Sequence, residues 1–220
     1  MHRYQILMEY VGTNFYGWQS QKKEITIQGT AQRILKKILR EKVQLYGSGR
    51  TDSKVHAIEQ SAHFDVKNRI QNIKRFCNTL NFFLNKKFIT VLKINKKPLS
   101  FHARYSAKKR IYKYLIHNRE SLPSIDRDRG WYVRKKLNLE LIKKASRYLK
   151  GTHDLSVFRA SNCSASSPVR TIDYLIIKRN NDIIEIKIKS QSFLKQQIRS
   201  IVGCLKYVGE RKWTVNKFKK

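Results

Sequence analysis

Acidic residues and cysteines are scarce in this chain. It has 15 Asp and Glu against 48 Lys and Arg among 220 residues, which gives a formal net charge of +33. Its three cysteines, Cys77, Cys163 and Cys204, are odd in number and lack the paired C-x-x-C spacing of many zinc sites. This pattern indicates reduced thiols rather than a disulfide framework or a metal centre. We therefore expect a cytoplasmic protein without a metal site.

Long apolar runs are absent as well. No stretch approaches the roughly 18 apolar residues of a membrane-spanning helix, and the first residues enter a strand pattern at once, which leaves no room for a signal peptide. Apolar residues still make up 40% of the chain, enough for one large domain or two small ones. The cations are spread over every segment, so RNA, DNA or an anionic membrane is the expected kind of partner.

Hydrophobic periodicity predicts six elements in the first half of the chain. In order, these are a strand at residues 3–11, a helix that starts at Ile27 after the N-cap Thr26, strands at 43–46 and 56–66, a helix at 73–84 and a strand at 88–94. The order β-α-β-β-α-β is that of the ferredoxin-like, or split βαβ, fold.

The second half repeats most of this order. It has a strand pattern at residues 110–117, a helical pattern at 139–149, a hairpin of strands at 171–179 and 182–190, and a helix at 193–208. The last strand is missing after that helix, and we expect this half to be truncated at its end. The chain is thus predicted to be an α+β protein of two ferredoxin-like (RRM-like) halves, 1–104 and 105–220. Their antiparallel sheets are expected to join around a central basic cleft.

A glycine-rich turn carries the most informative residue. The run Gly47-Ser48-Gly49-Arg50-Thr51-Asp52 places one carboxylate between two apolar segments, with cations on both sides. An aspartate in a turn often does no more than bond to the neighbouring backbone. A single acid in so basic a setting also suggests chemistry on a polyanion.

Five blocks of this sequence share a pattern with one known family. Residues 49–57, GRTDSKVHA, resemble the G-R-T-D-x-G-V-H-A signature of the tRNA pseudouridine synthase A family, with Lys54 in place of the usual Gly. The other blocks are FYGWQSQ at 15–21, SFHARYSA at 100–107 followed by RIYKY at 110–114, GTHDLSVFR at 151–159, and FLKQQIRSIVG at 193–203. Together they span nearly the whole chain.

The resemblance implies an isomerase that converts uridine to pseudouridine in the anticodon stem-loop of tRNA, at tRNA positions 38 to 40. The reaction conserves atoms and exchanges no electrons, so no cofactor is expected, and the sequence contains no nucleotide-binding fingerprint. The resemblance further implies a homodimer that binds tRNA and no membrane.

Asp52 corresponds to the family's catalytic aspartate. It could attack C1′ of the ribose as a nucleophile or take the C2′ proton to give a glycal, and attack at C6 is a third option. Burial disfavours the charged carboxylate, so a nearby cation is needed, and the resemblance assigns that role to Arg199. Tyr112 is expected to stack on the flipped base. Arg50 is expected to fill the space that the base leaves or to hold its phosphate.

Further side chains are expected to bind the substrate, chiefly through its phosphates, which supply affinity without sequence readout. They are Lys54, His56, His102, Arg104, Lys108, Lys109 and Arg110. Two alternatives stay open: a non-catalytic RNA-binding protein built on ferredoxin-like sheets, and a pseudouridine synthase that acts on another RNA. The aromatic run typical of an RRM is not found in the sequence, which counts against the first.

Overall fold

The computed structural model describes residues 1–219, which form two compact units, Met1–Ala107 and the residues from Lys108 onward. The division into functional halves after residue 104 stays a prediction. The N-terminal unit consists of β1 (His2–Tyr10), α1 (Ile27–Leu39), β2 (Leu45–Gly47), β3 (Ala57–Val66), α2 (Ile73–Leu84) and β4 (Ile89–Lys97). These are the six elements predicted from the sequence.

The four strands of the N-terminal unit form one antiparallel sheet in the order β2-β3-β1-β4. This is the arrangement of a split βαβ fold, because β3 lies between the two strands that α1 connects. Alternation along β1 buries Tyr4, Ile6 and Met8 in the core shared with the helices. Thr26 caps α1 as predicted, since its side chain accepts a hydrogen bond from the N–H of Gly29 at 3.2 Å.

The opposite face of this sheet is polar and holds the segment that follows β4. Arg3 pairs with Asp65 across β1 and β3 at 2.7 Å and also donates to the carbonyl oxygen of Phe101. His63, on the same face, is only 1% exposed. Its Nδ1 accepts a hydrogen bond from the N–H of Ala103 at 3.1 Å, so the two contacts fix the segment on the sheet.

Because His63 is buried, we expect the stability of the N-terminal unit to depend on pH. Burial, followed by the charges of Arg3 and His102, lowers the pKa of His63 from 6.5 to about 4. Between these pH values the unfolded chain binds a proton that the folded chain does not, so the free energy of unfolding falls as the pH drops. The urea midpoint is therefore expected to decrease from pH 6.5 to pH 4 more steeply in the wild type than in His63→Gln. Equal slopes in the two proteins would contradict this assignment.

The C-terminal unit forms a second sheet with helices. Its elements are β5 (Arg110–His117), β6 (Trp131–Tyr132), α3 (Leu139–Ser146), β7 (Gly151–Asp154), β8 (Val169–Asn180), β9 (Ile183–Ser190), α4 (Gln197–Gly209) and α5 (Val215–Lys219). The sheet order is β6-β5-β9-β8-β7. Its central part, β5-β9-β8, repeats the order β1-β3-β2 of the N-terminal unit, and this confirms the predicted α+β class. The joining of the two sheets around a basic cleft stays a prediction.

Three features of the C-terminal unit differ from the pattern of the sequence or add to it. Helix α4 begins at Gln197 rather than at residue 193, because Gln196 has a left-handed backbone with φ 60°. The strands β6 and β7, of two and four residues, were not predicted, since so few residues show no recognisable period. After α4, the residues up to Lys219 form α5 and no strand. None of the helices in residues 1–219 is long and apolar enough to cross a membrane.

Candidate active site

Asp52 lies in the turn between β2 and β3, and β3 anchors the first part of that turn. The N–H of Ser48 donates to the carbonyl oxygen of Ser61 at 2.8 Å. The side-chain amide of Gln60 donates to the carbonyl oxygen of Gly49 at 2.6 Å. The first bond continues the strand pairing into the turn, and the two together fix the backbone that leads to Asp52.

The loop that joins β1 to α1 packs against the second part of the turn. The N–H of Trp18 donates to the carbonyl oxygen of Thr51 at 3.0 Å, and the N–H of Lys54 donates to that of Phe15 at 3.1 Å. The backbone is therefore held on both sides of Asp52 by the same loop. Such support is what a catalytic group needs, because a displacement of about 1 Å can cost a hundredfold in rate.

Two glycines allow this close approach of the loop to the turn. Gly17 has φ 86°, and a Cβ at that position would lie 2.6 Å from the carbonyl oxygen of Thr51. A Cβ at Gly12 would lie 2.1 Å from the carbonyl oxygen of Val55. Any other residue would push the two backbones apart. Gly17, the glycine of the FYGWQ block, therefore allows the loop to pack against the Asp52 turn and support it.

His56 and Tyr10 take part in the same contact. The Nδ1 of His56 accepts a hydrogen bond from the N–H of Gly12 at 3.1 Å. The hydroxyl of Tyr10 lies 2.9 Å from the hydroxyl of Thr51. His56 was expected to contact the substrate, and the structure gives its Nδ1 a role in supporting the turn.

Lys54 follows Asp52 by two residues and has a left-handed backbone, with φ 65°. This conformation costs a residue with a Cβ about 1–2 kcal/mol, and glycine adopts it without that cost. The geometry explains why glycine is usual at this position of the family motif that the turn resembles. The lysine side chain is exposed, so it is open to contact with a phosphate.

Lys54→Gly is expected to stabilise the protein by about 0.5–1 kcal/mol, because relief of the left-handed strain exceeds the extra freedom gained by the unfolded chain. Lys54→Ala is the matched control, since it removes the same charge but keeps the strain. Urea unfolding of both variants measures the difference. A Lys54→Gly protein no more stable than Lys54→Ala would contradict the prediction.

The exposures around Asp52 suit a site that admits RNA. The side chain of Asp52 is half-buried, whereas Arg50 and Lys54 on either side are exposed. One half-buried carboxylate thus lies between two exposed cations that a phosphate backbone can reach. The arrangement combines a positioned acid with groups that attract a polyanion.

Tyr112 and Arg199 belong to the C-terminal unit. Tyr112, on β5, is half-buried and meets the ring of Phe193 edge to face at a centroid distance of 5.1 Å. Arg199 is exposed in the first turn of α4. Burial raises the pKa of Tyr114, and the positive charge of Arg199 acts in the opposite direction. Tyr114 and Arg199 are therefore electrostatically coupled within this unit.

The remaining predicted substrate contacts lie in or next to the segment between β4 and β5. His102 is half-buried and Arg104 is exposed. Lys108 is exposed, and the ammonium group of Lys109 pairs with the carboxylate of Asp173 at 2.6 Å. The guanidinium of Arg110 donates to the carbonyl oxygen of Gln191. Lys109 and Arg110 thus have partners within the C-terminal unit.

The sequence motifs did not identify the residues that hold the turn. Trp18 and Gly17 act on it from the loop after β1, Tyr10 acts from the end of β1, and Gln60 acts from β3. Gly17 and Trp18 belong to the FYGWQSQ block of the resemblance, which marked them as important. The block did not indicate that they contact the Asp52 turn. Nothing in the local pattern of Gln60 distinguished it from an ordinary strand residue.

Comparison with known proteins gives matches over most of the chain. A family model described as tRNA pseudouridine synthase matches residues 6–106 and 145–220, which include Asp52 and Arg199 but not Tyr112. The chain is 57% identical to tRNA pseudouridine synthase A of Pelagibacter ubique (strain HTCC1062), over 99% of this chain and 89% of that protein. It is 44% identical to tRNA pseudouridine synthase A of Ehrlichia ruminantium (strain Gardel), over 94% of this chain and 85% of that protein. It is also 38% identical to tRNA pseudouridine synthase A of Brucella ovis, over 98% of this chain and 86% of that protein.

The matched regions include residues of both units. The first matched region contains both the Asp52 turn and the loop that supports it, and the second contains α4 with Arg199. A relative with 57% identity over almost the full length leaves little room for a different fold or a different family. The chain belongs to the tRNA pseudouridine synthase family.

Proposed function

We propose that this chain isomerises uridine to pseudouridine in tRNA, with Asp52 as the essential catalytic group. The observation that carries the proposal is a single half-buried carboxylate on a turn whose backbone is held on both sides. Relatives that bear the name tRNA pseudouridine synthase A support it over nearly the whole chain. The net charge of +33 suits a polyanionic substrate.

The reaction requires one glycosidic bond to break and one carbon–carbon bond to form. The C1′–N1 bond of uridine is cleaved, the uracil turns in the site, and C5 bonds to C1′. The proton on C5 is released and N1 gains a proton, so atoms and electrons balance without an oxidant or a reductant. Asp52 acts at the sugar, either as a nucleophile at C1′ or as the base that takes the C2′ proton.

Three further residues serve this step in the proposal. Arg199 is the ion-pair partner of the Asp52 carboxylate, Tyr112 stacks on the extruded uracil, and Arg50 fills the gap left in the RNA or holds the phosphate beside it. The exposure of Arg50 and the half-buried ring of Tyr112 are compatible with these roles. The assignments of Arg199 and Tyr112 rest on the motif resemblance.

The substrate region is proposed to be the anticodon stem-loop, at tRNA positions 38 to 40. An enzyme that acts on neighbouring positions must recognise shape and backbone more than base identity. Exposed cations such as Lys54, Arg104 and Lys108 can supply sequence-independent phosphate contacts of this kind. Their contribution would appear as a steep fall of affinity with salt.

Tritium release from an unmodified tRNA transcript labelled at C5 of uridine tests the function. The wild-type protein is expected to release tritium in proportion to the pseudouridine formed, and transcripts with cytidine at positions 38 to 40 are expected to release none. Tritium release from ribosomal RNA but not from tRNA would overturn the substrate, and binding without release from any RNA would overturn the activity.

A cytoplasmic homodimer is the proposed state of the protein. The three cysteines are unbridged thiols, in keeping with a reducing compartment. The dimer rests on the family resemblance alone. Light scattering of the purified chain is expected to give twice the 26.1 kDa of one copy, and a mass of one copy at micromolar concentration would reject the dimer.

A further inference from the structure

Four aromatic side chains pack in succession against one another on the polar face of the N-terminal sheet. We call Tyr46, His63, His102 and Tyr105 the aromatic ladder. The ring of Tyr46 lies nearly parallel to that of His63, with centroids 5.0 Å apart and an angle of 19°. His102 meets His63 edge to face, with centroids 4.6 Å apart and an angle of 64°. Tyr105 comes last, at 4.4 Å from His102 with an angle of 34°.

The ladder runs from the protein interior to its surface. His63, the innermost ring, is 1% exposed, whereas Tyr105 at one end of the ladder is 77% exposed. Tyr46 is 45% exposed. An exposed tyrosine by itself is unremarkable, because much of any protein surface is apolar. An exposed tyrosine packed against a ring that is itself held in place presents a preformed surface instead.

Hydrogen bonds fix the inner rings of the ladder. The Nδ1 of His63 accepts from the N–H of Ala103 at 3.1 Å, and the Nδ1 of His102 accepts from the N–H of Arg104 at 3.2 Å. The N–H of His102 donates to the hydroxyl of Ser106 at 3.0 Å. The ring orientation is thus set before any partner binds, which reduces the ordering cost of binding.

The charge around the ladder indicates which kind of partner fits it. Residues 93–107, which belong to the same unit as the ladder, contain four Lys and Arg and no Asp or Glu. The guanidinium of Arg104 lies 5.8 Å from the centroid of the Tyr105 ring. A cationic or neutral peptide gains nothing from this charge, whereas a nucleic acid can stack a base on the ring and place a phosphate by the guanidinium.

We propose that the aromatic ladder is a stacking site for an unpaired nucleobase of the tRNA substrate, a base other than the uridine that is isomerised. The base lies on the exposed ring of Tyr105, and Arg104 holds an adjacent phosphate. This inference rests on the proposed function for the identity of the RNA. It assigns Tyr105 to tRNA binding rather than to the chemical step.

Tyr105→Ala tests the ladder with little risk to folding, because the side chain is 77% exposed. Its dissociation constant for an unmodified tRNA transcript at fixed salt is expected to rise about 5- to 100-fold, the value of one stacked base. The dependence of log K on log salt is expected to stay unchanged, since no phosphate contact is lost. Tyr105→Phe keeps the ring and is expected to bind within about twofold of the wild type.

Tyr148→Ala is the matched control. Tyr148 is also an exposed tyrosine, at 43%, and lies by the ammonium group of Lys219 in the C-terminal unit. This variant is expected to bind tRNA like the wild type. Equal weakening by Tyr105→Ala and Tyr148→Ala would reject a specific site, as would a Tyr105→Phe protein as weak as Tyr105→Ala.

The outcomes separate the ladder from the proposed function. Wild-type tritium release together with unchanged affinity in Tyr105→Ala would overturn the ladder and leave the isomerase intact. Weakened binding in Tyr105→Ala together with no tritium release by the wild type would support the ladder and overturn the isomerase. If Tyr105→Ala lost both tRNA affinity and tritium release and its salt slope changed, Tyr105 would hold Arg104 in place and no base would stack on its ring.

Discussion

Asp52→Asn is expected to lower the rate of tritium release from tRNA by at least about a thousandfold and to leave tRNA binding intact. The amide has nearly the same shape as the carboxylate but can neither attack C1′ nor accept the C2′ proton. The backbone bond from the N–H of Val55 to the carbonyl oxygen of Asp52, 3.2 Å long, does not involve the side chain. The turn should therefore keep its conformation in the variant.

The binding result separates a catalytic role from a structural one. Removal of a negative charge beside a polyanion lowers repulsion, so the variant is expected to bind tRNA at least as tightly as the wild type. Asp182→Asn is the matched control, because Asp182 is exposed in the hairpin between β8 and β9 and undergoes the same chemical change. It is expected to keep the wild-type rate. Normal turnover by Asp52→Asn would reject Asp52 as the catalytic group.

Much of the fold could be predicted because its elements are local and amphipathic. Helix α2 occupies residues 73–84, the range that the apolar period indicates, and α1 begins at Ile27 after the predicted cap. The order of elements then limited the N-terminal unit to a split βαβ topology. The predicted start of α4 at residue 193 was wrong. The apolar pattern continues back to that residue, but Gln196 has a left-handed backbone, so the helix begins only after it.

The candidate site was predictable only in part. The position of Asp52 in a turn between two strands follows from the sequence, because glycines and apolar runs surround it. The contacts that support this turn do not follow from the sequence. For example, the hydroxyl of Ser53 donates to the carbonyl oxygen of Phe15, 38 positions away in the chain. The aromatic ladder is equally invisible in the sequence, because Tyr46, His63 and His102 come from three distant segments. Contacts of this kind arise from tertiary packing and leave no local pattern.

Gly17→Ala is expected to lower both stability and turnover, because Gly17 lets the loop after β1 support the Asp52 turn. A methyl group there would lie 2.6 Å from the carbonyl oxygen of Thr51 and 3.1 Å from the carbonyl carbon of Asp52. Both are backbone atoms that cannot rotate away, so the loop and the turn must separate. Alanine also pays about 1 kcal/mol for the positive φ of this position. We expect a loss of about 2–4 kcal/mol in the free energy of unfolding and at least about a hundredfold in kcat.

Gly203→Ala provides the control for a glycine that has no such neighbour. It lies within α4, and a Cβ there would meet nothing within 4 Å. Alanine favours the helix by about 1 kcal/mol over glycine, so this variant is expected to gain stability and keep its kcat. Urea unfolding and tritium release measure both variants. If Gly17→Ala unfolded and turned over like the wild type, the loop after β1 would not hold Asp52 in place, and the rigidity of the turn would have to come from its bonds to β3 alone.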